Sequence, residues 1–306
     1  MEGDFNMSEY AIKVSRLNMY YNRTHAIKDL NININKNNII GLIGANGSGK
    51  TTLFKLCNGF LEESSGTIEI LDGNPLTDIT IKEQMIYSMH DLPIGDNEKL
   101  INVIEYYKES YPTFDIVFAN KLIEIFNINK KTLYRRLSQG TKSSFNFICA
   151  LATRCSVTML DEPFIGIDIV RRKIAYQILL RDYIEHPRTI IISSHNLSEL
   201  DSSLSEMILI DDGNLIFYKE MDEVREMAFR GEGNIDSIHE FAKTHNIMHI
   251  NDGTVTSFGI FEGSPNSKAA IEAKELGLVI SNVSPEDVCV YVTSHLKEGD
   301  LECLWN

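Results

Sequence analysis

Residues 41–52 read GLIGANGSGKTT, and this stretch restricts the fold more than any other part of the chain. The preceding NIIGLIG is an apolar run with strand character, and the following TTLFKLCNGF has helical spacing. Between them, Gly44 to Thr51 satisfies G-x-x-x-x-G-K-[ST] in the strand-to-helix context that gives the pattern its meaning. Glycines at the turn let the backbone curl until successive N–H groups face one concavity, and the helix start adds its positive end. The stretch Gly44, Ala45, Asn46, Gly47, Ser48, Gly49, Lys50, Thr51, Thr52 is therefore expected to be a phosphate loop. Lys50 would reach the β- and γ-phosphates of a nucleotide, and Thr51 would set its hydroxyl on Mg²⁺.

Around this loop, strand and helix patterns alternate. Strands are expected at 10–17, 30–34, 38–44, 65–73 and 84–89. Residues 97–110 and 115–126 have helical spacing, with Pro112 between them and no strand signal before the next helix, which starts near Thr141. A buried strand at 156–163, an amphipathic helix from about Val170 to Glu185, a buried strand at 189–195 and a hairpin over 207–220 turning at Asp212-Gly213 follow. This order predicts a parallel α/β sheet interrupted by a helical insertion. The Gly231-Glu232-Gly233 break reads as a domain boundary. Beyond it come a helix (236–245), two strands around Asn251-Asp252-Gly253, a helix (265–275), the strand LVISNV and a helix opening at SPED: a small α+β domain.

With 306 residues, 43% of them hydrophobic and 24% charged, the chain is long enough for a large domain and a smaller one. Its formal net charge of −14 disfavours nucleic acid as a partner, because phosphate neutralisation requires clustered Lys and Arg. Five scattered cysteines, Cys57, Cys149, Cys155, Cys289 and Cys303, form no C-x-x-C pair and fit a reducing compartment. The acidic opening MEGDFNMSEY is not read as a signal peptide, and no apolar run reaches the ~18 residues of a membrane span. A cytoplasmic protein is expected.

A second acidic feature suits the loop. VTMLDEP is an apolar strand ending in Asp161-Glu162, so Asp161 can help hold Mg²⁺, through water, from a neighbouring strand, while Glu162 accepts the proton of an attacking water. His195 ends another buried-type strand, from which its imidazole would reach the γ-phosphate edge.

The phosphate loop at 44–51, LSQG at 137–140, MLDEP at 159–163, FIGID at 164–168 and His195 together resemble, in order and approximate spacing, the ATP-binding subunits of ABC transporters. The resemblance covers residues ~10 to 220. It implies a RecA-like P-loop NTPase fold for residues 1–230, with an antiparallel β subdomain and a helical subdomain at about 91–155, followed by a small α+β domain at 231–306. It also implies ATP and Mg²⁺ as cofactors and ATPase activity in which Lys50, Glu162 and His195 take part. By position, Tyr21 matches the aromatic that stacks on adenine. Ser138, Gln139 and Gly140 match the signature that meets ATP held by another subunit, and Asp168 matches the loop linking two active sites. A homodimer, or a dimer with a paralogue, docked on a separate membrane permease at the cytoplasmic face follows from that likeness.

This sequence departs from the family pattern at three places. His90 stands where Gln is usual, in a loop that couples to the permease, and Gln139 and Thr141 replace the usual Gly and Gln of the signature. The segment after residue 220 resembles the extension found in the antibiotic and lantibiotic export branch. Two other classes fit less well. A soluble ABC-type ATPase acting on ribosomes or nucleic acid typically carries a coiled coil or tandem ATPase units, and a GTPase would carry N-K-x-D; this chain has none of these.

Overall fold

The computed structural model describes residues 9–89, 92–95, 97–194, 201–252 and 256–293. The chain divides into two compact units, the first ending at Tyr218 and the second made mainly of Lys219 onward.

Strands β1 (Tyr10–Tyr21) and β2 (Thr24–Asn35) form a long hairpin, and β4 (Ser65–Ile70) pairs with the other edge of β1 to complete a three-stranded antiparallel sheet. Both hairpin strands extend beyond the alternating stretches at 10–17 and 30–34. Irregular register between Val14 and Leu17, with Arg16 and Asp29 at positive φ, breaks the two-residue period that marks a strand in sequence.

The second sheet of this unit holds β3 (Ile39–Ile43), β5 (Met85–Ser88), β6 (Val157–Asp161), β7 (Thr189–Ser194), β8 (Glu206–Asp211) and β9 (Asn214–Glu220), in the order β5-β6-β7-β3-β8-β9. The pairs β5·β6, β6·β7, β7·β3 and β3·β8 are parallel. Three of these strands, β3, β5 and β6, are buried along their whole length, which is why they read as continuous apolar runs rather than alternations. Helix α1 (Lys50–Cys57) follows β3, and the short α2 (Ile79–Lys82) precedes β5. Helices α3 (Leu100–Ser110), α4 (Ile116–Ile125) and α5 (Gln139–Thr153) then run consecutively with no named strand between them, as the insertion reading expected. Asp115 caps α4 and Ser138 caps α5, each accepting a backbone N–H three residues on.

Helix α6 (Ile169–Glu185) is tied to this unit by charge as well as by apolar contact. Asp182 is 4% exposed and accepts from Nη2 of Arg188 at 2.6 Å, while Arg154 approaches its other oxygen at 3.5 Å. Arg154 also pairs with Asp115 at 3.1 Å, so α4, α5, α6 and the approach to β7 share one ionic network.

The second unit contains α7 (Met221–Arg225), β10 (Ala228–Gly233), α8 (Ile235–Ala242), β11 (Ile247–Asn251), β12 (Ser257–Glu262), α9 (Lys268–Glu275), β13 (Val279–Asn282) and α10 (Pro285–Thr293). From β10 to β13 the order is β-α-β-β-α-β, with an antiparallel sheet ordered β11-β12-β10-β13, the split β-α-β arrangement of ferredoxin-like folds. Phe229, Ile238, Phe241, Phe261, Ala270 and Ala273 form its core. The Gly231–Gly233 segment, expected as a boundary, is the C-terminal half of β10. A Cβ at Gly233 would stand 2.8 Å from Leu278, so the small residues here make room for core side chains rather than a flexible joint.

Cys57, Cys149, Cys155 and Cys289 are all unpaired and buried, and burial pushes the Cys57 thiol up to about 12. The Asp182 network yields a stability prediction. Asp182→Ala leaves the buried Arg188 guanidinium without its carboxylate and is expected to cost about 3–5 kcal/mol in urea unfolding. A loss below about 1 kcal/mol would show that the pair does not hold α6.

Candidate functional site

The loop from Gly44 to Gly49 leaves the carboxyl end of β3 and runs into α1. Gly47 has φ 85° and Gly49 φ 111°, backbone conformations that side-chain-bearing residues rarely adopt. At Gly49 a Cβ would also lie 2.8 Å from the Ala26 carbonyl, so the loop can fit against the β1–β2 hairpin only with glycine there. Gly49 is the N-cap of α1 and contributes no side-chain cap, leaving the first-turn N–H groups at Lys50, Thr51 and Thr52 without intrahelical partners. A helix start of this kind is an anion site.

Lys50 is 7% exposed, and its ammonium donates to the carbonyls of Gly44 at 2.7 Å and Ala45 at 3.0 Å. Burial lowers its pKa, against the opposing pull of the Glu162 and Asp161 carboxylates. The ammonium is thus held inside the curl of the loop, mostly desolvated, with neutral carbonyls as its hydrogen-bond acceptors.

Asp161 ends β6 and is 8% exposed. Its Oδ2 accepts from Thr51 at 2.9 Å and from Tyr87 at 2.8 Å, and its Oδ1 accepts from Ser193 at 2.6 Å. The Tyr87 phenol is pushed well above its ordinary pKa by burial, and further by the Asp161 charge, so it stays a donor. Glu162 takes φ 48°, turning the chain out of the sheet, and its N–H donates to Ser193 Oγ at 2.9 Å.

These parts line one open cleft of about 240 Å³, with Tyr21 and Ala26 of the hairpin, Asn46, Gly47, Gly49, Lys50, Thr51 and Thr52 of the loop, and Asp161 and Glu162 from β6. The structure therefore brings together the residues expected at the phosphates, at the metal and at the adenine. Tyr87 and Ser193, whose hydroxyls converge on Asp161, were missed in the sequence. Their only signal was a polar group inside an otherwise buried strand.

Ser138, Gln139 and Gly140 open α5 and do not line that cleft. Ser138 is exposed, its hydroxyl accepting the Thr141 N–H and sharing a hydrogen bond with the Thr141 hydroxyl at 2.9 Å. Gly140 packs directly on the loop that follows β6: a Cβ there would be 2.1 Å from the Gly166 carbonyl, and Ser143 donates to the Ile165 carbonyl nearby at 2.8 Å. Asp168, at the end of this loop, caps α6 by accepting the Arg171 N–H at 3.0 Å. His90 and His195 lie outside the described residues.

Comparison with known proteins gives the family. A family model described as ABC transporter matches residues 27–165. The chain is 30% identical over 231 residues to the ABC transporter ATP-binding protein YtrB of Bacillus subtilis, covering 73% of this chain and 79% of the relative. This protein belongs to the ABC transporter ATP-binding family. Other relatives of this ATP-binding subunit are the phosphonates import ATP-binding protein PhnC of Fusobacterium nucleatum (32% identity, 72% of this chain and 97% of the relative) and the lantibiotic transport ATP-binding protein SrtF of Streptococcus pyogenes (29%, 69% and 91%). Among solved structures, a dimeric, post-hydrolysis ATP-binding cassette bound to ADP and Pi has the same fold, with a TM-score of 0.60 at 17% identity over 69% of this chain and 98% of that one.

Lys50→Ala is expected to weaken ATP binding about 10- to 150-fold, the range for losing a charge-assisted hydrogen bond. Because its pKa lies below the ordinary lysine value of 10.5, wild-type affinity should begin to fall at a lower pH than an ordinary lysine would allow: as pH rises, the empty site loses the proton that a bound phosphate requires. Calorimetric titration between pH 7 and 10 tests both, and an unchanged affinity in Lys50→Ala would remove Lys50 from the phosphate site.

Proposed function

We propose that this subunit hydrolyses ATP with Mg²⁺ and thereby drives a separate membrane permease. The observation that carries the reading is the adjacency of Asp161 and Glu162 at the end of β6, on the wall of the cleft that also holds Lys50 and Thr51. Thr51 Oγ1 and Asp161 Oδ2 sit 2.9 Å apart, and a hydroxyl beside a carboxylate is a hard-oxygen donor pair of the kind Mg²⁺ takes from protein when substrate phosphates and water complete its shell. Bound there, Mg²⁺ would neutralise charge on the phosphates. The chain's own groups do the rest: Lys50 and the first-turn N–H groups of α1 hold the phosphates, Tyr21 offers a ring face to adenine, and Glu162 accepts the proton of the attacking water, with His195 at the γ-phosphate edge.

Two chains complete the site. Ser138 and Gly140 sit at a helix start away from the cleft of their own chain, which fits a role on nucleotide held by a second copy or a paralogue, with Asp168 in the loop between the two sites. The dimeric cassette of the same fold supports that reading. Among the described residues no helix is long and apolar enough to cross a membrane, and the likeness to a transporter ATP-binding protein supports a separate membrane chain. We assign its docking to the helical subdomain at about 91–155, where Val117 and Ile125 of α4 are 61% and 60% exposed, and to the loop around His90. That contact would keep the subunit at the cytoplasmic face.

Export is our assignment of direction, supported by the likeness to the lipopolysaccharide export system ATP-binding protein LptB of Haemophilus influenzae. Import is the second reading, favoured by the likeness to the phosphonates import protein. Purifying the subunit with its permease and following substrate into or out of vesicles separates them. For the chemistry, Glu162→Gln is expected to lower turnover at least about 100-fold while leaving ATP binding intact, and to accumulate an ATP-dependent dimer in gel filtration. Near-normal hydrolysis in that variant would remove Glu162 as the base.

A further inference from the structure

Two buried hydroxyls outside the phosphate loop and the acid pair converge on Asp161. Tyr87, on β5, donates to Oδ2 at 2.8 Å, and Ser193, on β7, donates to Oδ1 at 2.6 Å. The strands carrying them flank β6 on both sides, with Tyr87 opposite Met159 and Ser193 opposite Asp161. Tyr87 is 5% exposed, its ring packed near Phe54 and Phe60, and Ser193 is fully buried.

We infer that Tyr87 and Ser193 are positioning residues, which fix the Asp161 carboxylate and the Glu162 backbone in working geometry before Mg²⁺ and nucleotide arrive. A carboxylate at a strand end turns freely about its side-chain torsions unless both oxygens are anchored. Here each oxygen has its own partner, and the two partners come from opposite strands. Thr51 is the third donor and shares Oδ2 with Tyr87. Its hydroxyl is the one the ion would claim, and when it is withdrawn the other two still hold one oxygen each. Ser193 does a second task with the same atom. Glu162 turns away at φ 48°, and Ser193 Oγ accepts its N–H at 2.9 Å while donating to Asp161, so a single hydroxyl sets the spacing of both acids. Groups that orient a metal's protein ligands typically matter 10- to 100-fold in metal affinity or activity when removed.

The inference rests on the Mg²⁺-dependent reading above, and its test keeps the two apart. Mn²⁺ is titrated into the ADP-bound protein and followed by electron paramagnetic resonance in wild type, Tyr87→Phe, Ser193→Ala and Ser193→Thr, alongside metal-free ADP affinity and the kcat and KM for ATP. Tyr87→Phe keeps the packed ring and loses only the hydroxyl. Tyr87→Phe and Ser193→Ala are each expected to weaken Mn²⁺ binding about 10- to 100-fold with metal-free ADP affinity unchanged. Ser193→Ala should lower kcat more than it raises KM, and Ser193→Thr should restore both. Wild-type Mn²⁺ affinity in both Tyr87→Phe and Ser193→Ala would overturn the inference while leaving the ATPase reading in place. Failure of the wild-type protein to bind Mn²⁺ with ADP would remove the reading on which it rests.

Discussion

The cleft beside the Gly44–Thr52 loop depends on one carboxylate. Asp161 draws hydroxyls from α1, β5 and β7, three elements that are separate in sequence and meet only because β6 lies between β5 and β7 with the phosphate loop beyond. A carboxylate this buried is tolerated only when its lone pairs are occupied, so the parallel register of the sheet and the content of the site constrain each other. Moving β7 by one residue so that Ile192 stood opposite Asp161 would remove the Ser193 hydroxyl from Asp161 and from the Glu162 N–H that it accepts.

The phosphate loop carries the complementary constraint. Its glycines have the backbone freedom needed to aim N–H groups inward, and Lys50 is stored within the curl on carbonyls that a phosphate can replace as partner. The burial that lowers the lysine's pKa makes its charge costly in the empty site and strongly attracted to an anion. On the proposed reading, the site is prepared for phosphate by leaving its donors under-satisfied rather than by leaving them mobile.

Legibility followed the range of the signal. The Gly44–Thr52 loop, the Asp161-Glu162 strand end, the Ser138 cap and the consecutive helices α3 to α5 were readable because each is written in a short contiguous stretch. The bulged hairpin was not: Arg16 and Asp29 at positive φ shift the alternation, so its outer parts, including the strand end at Tyr21, carry no regular period. Tyr87 and Ser193 were invisible for a different reason, since each matters only through a neighbour more than thirty residues away in the chain. Gly231 and Gly233 misled because glycine in sequence signals a break, whereas in β10 it is the space that Phe261 and Leu278 fill.

The topology of the second unit adds a consequence about modularity. Its first strand, β10, lies inside the sheet, between β12 and β13, and all six elements of the β-α-β-β-α-β run are contiguous in the chain. No partial version of such a unit keeps a closed core: removing β10 alone would split the sheet into a two-strand ribbon and a lone strand. Within this unit, insertions or deletions that spare the fold are therefore confined to the connection before β10 or to the turns at the sheet's rim.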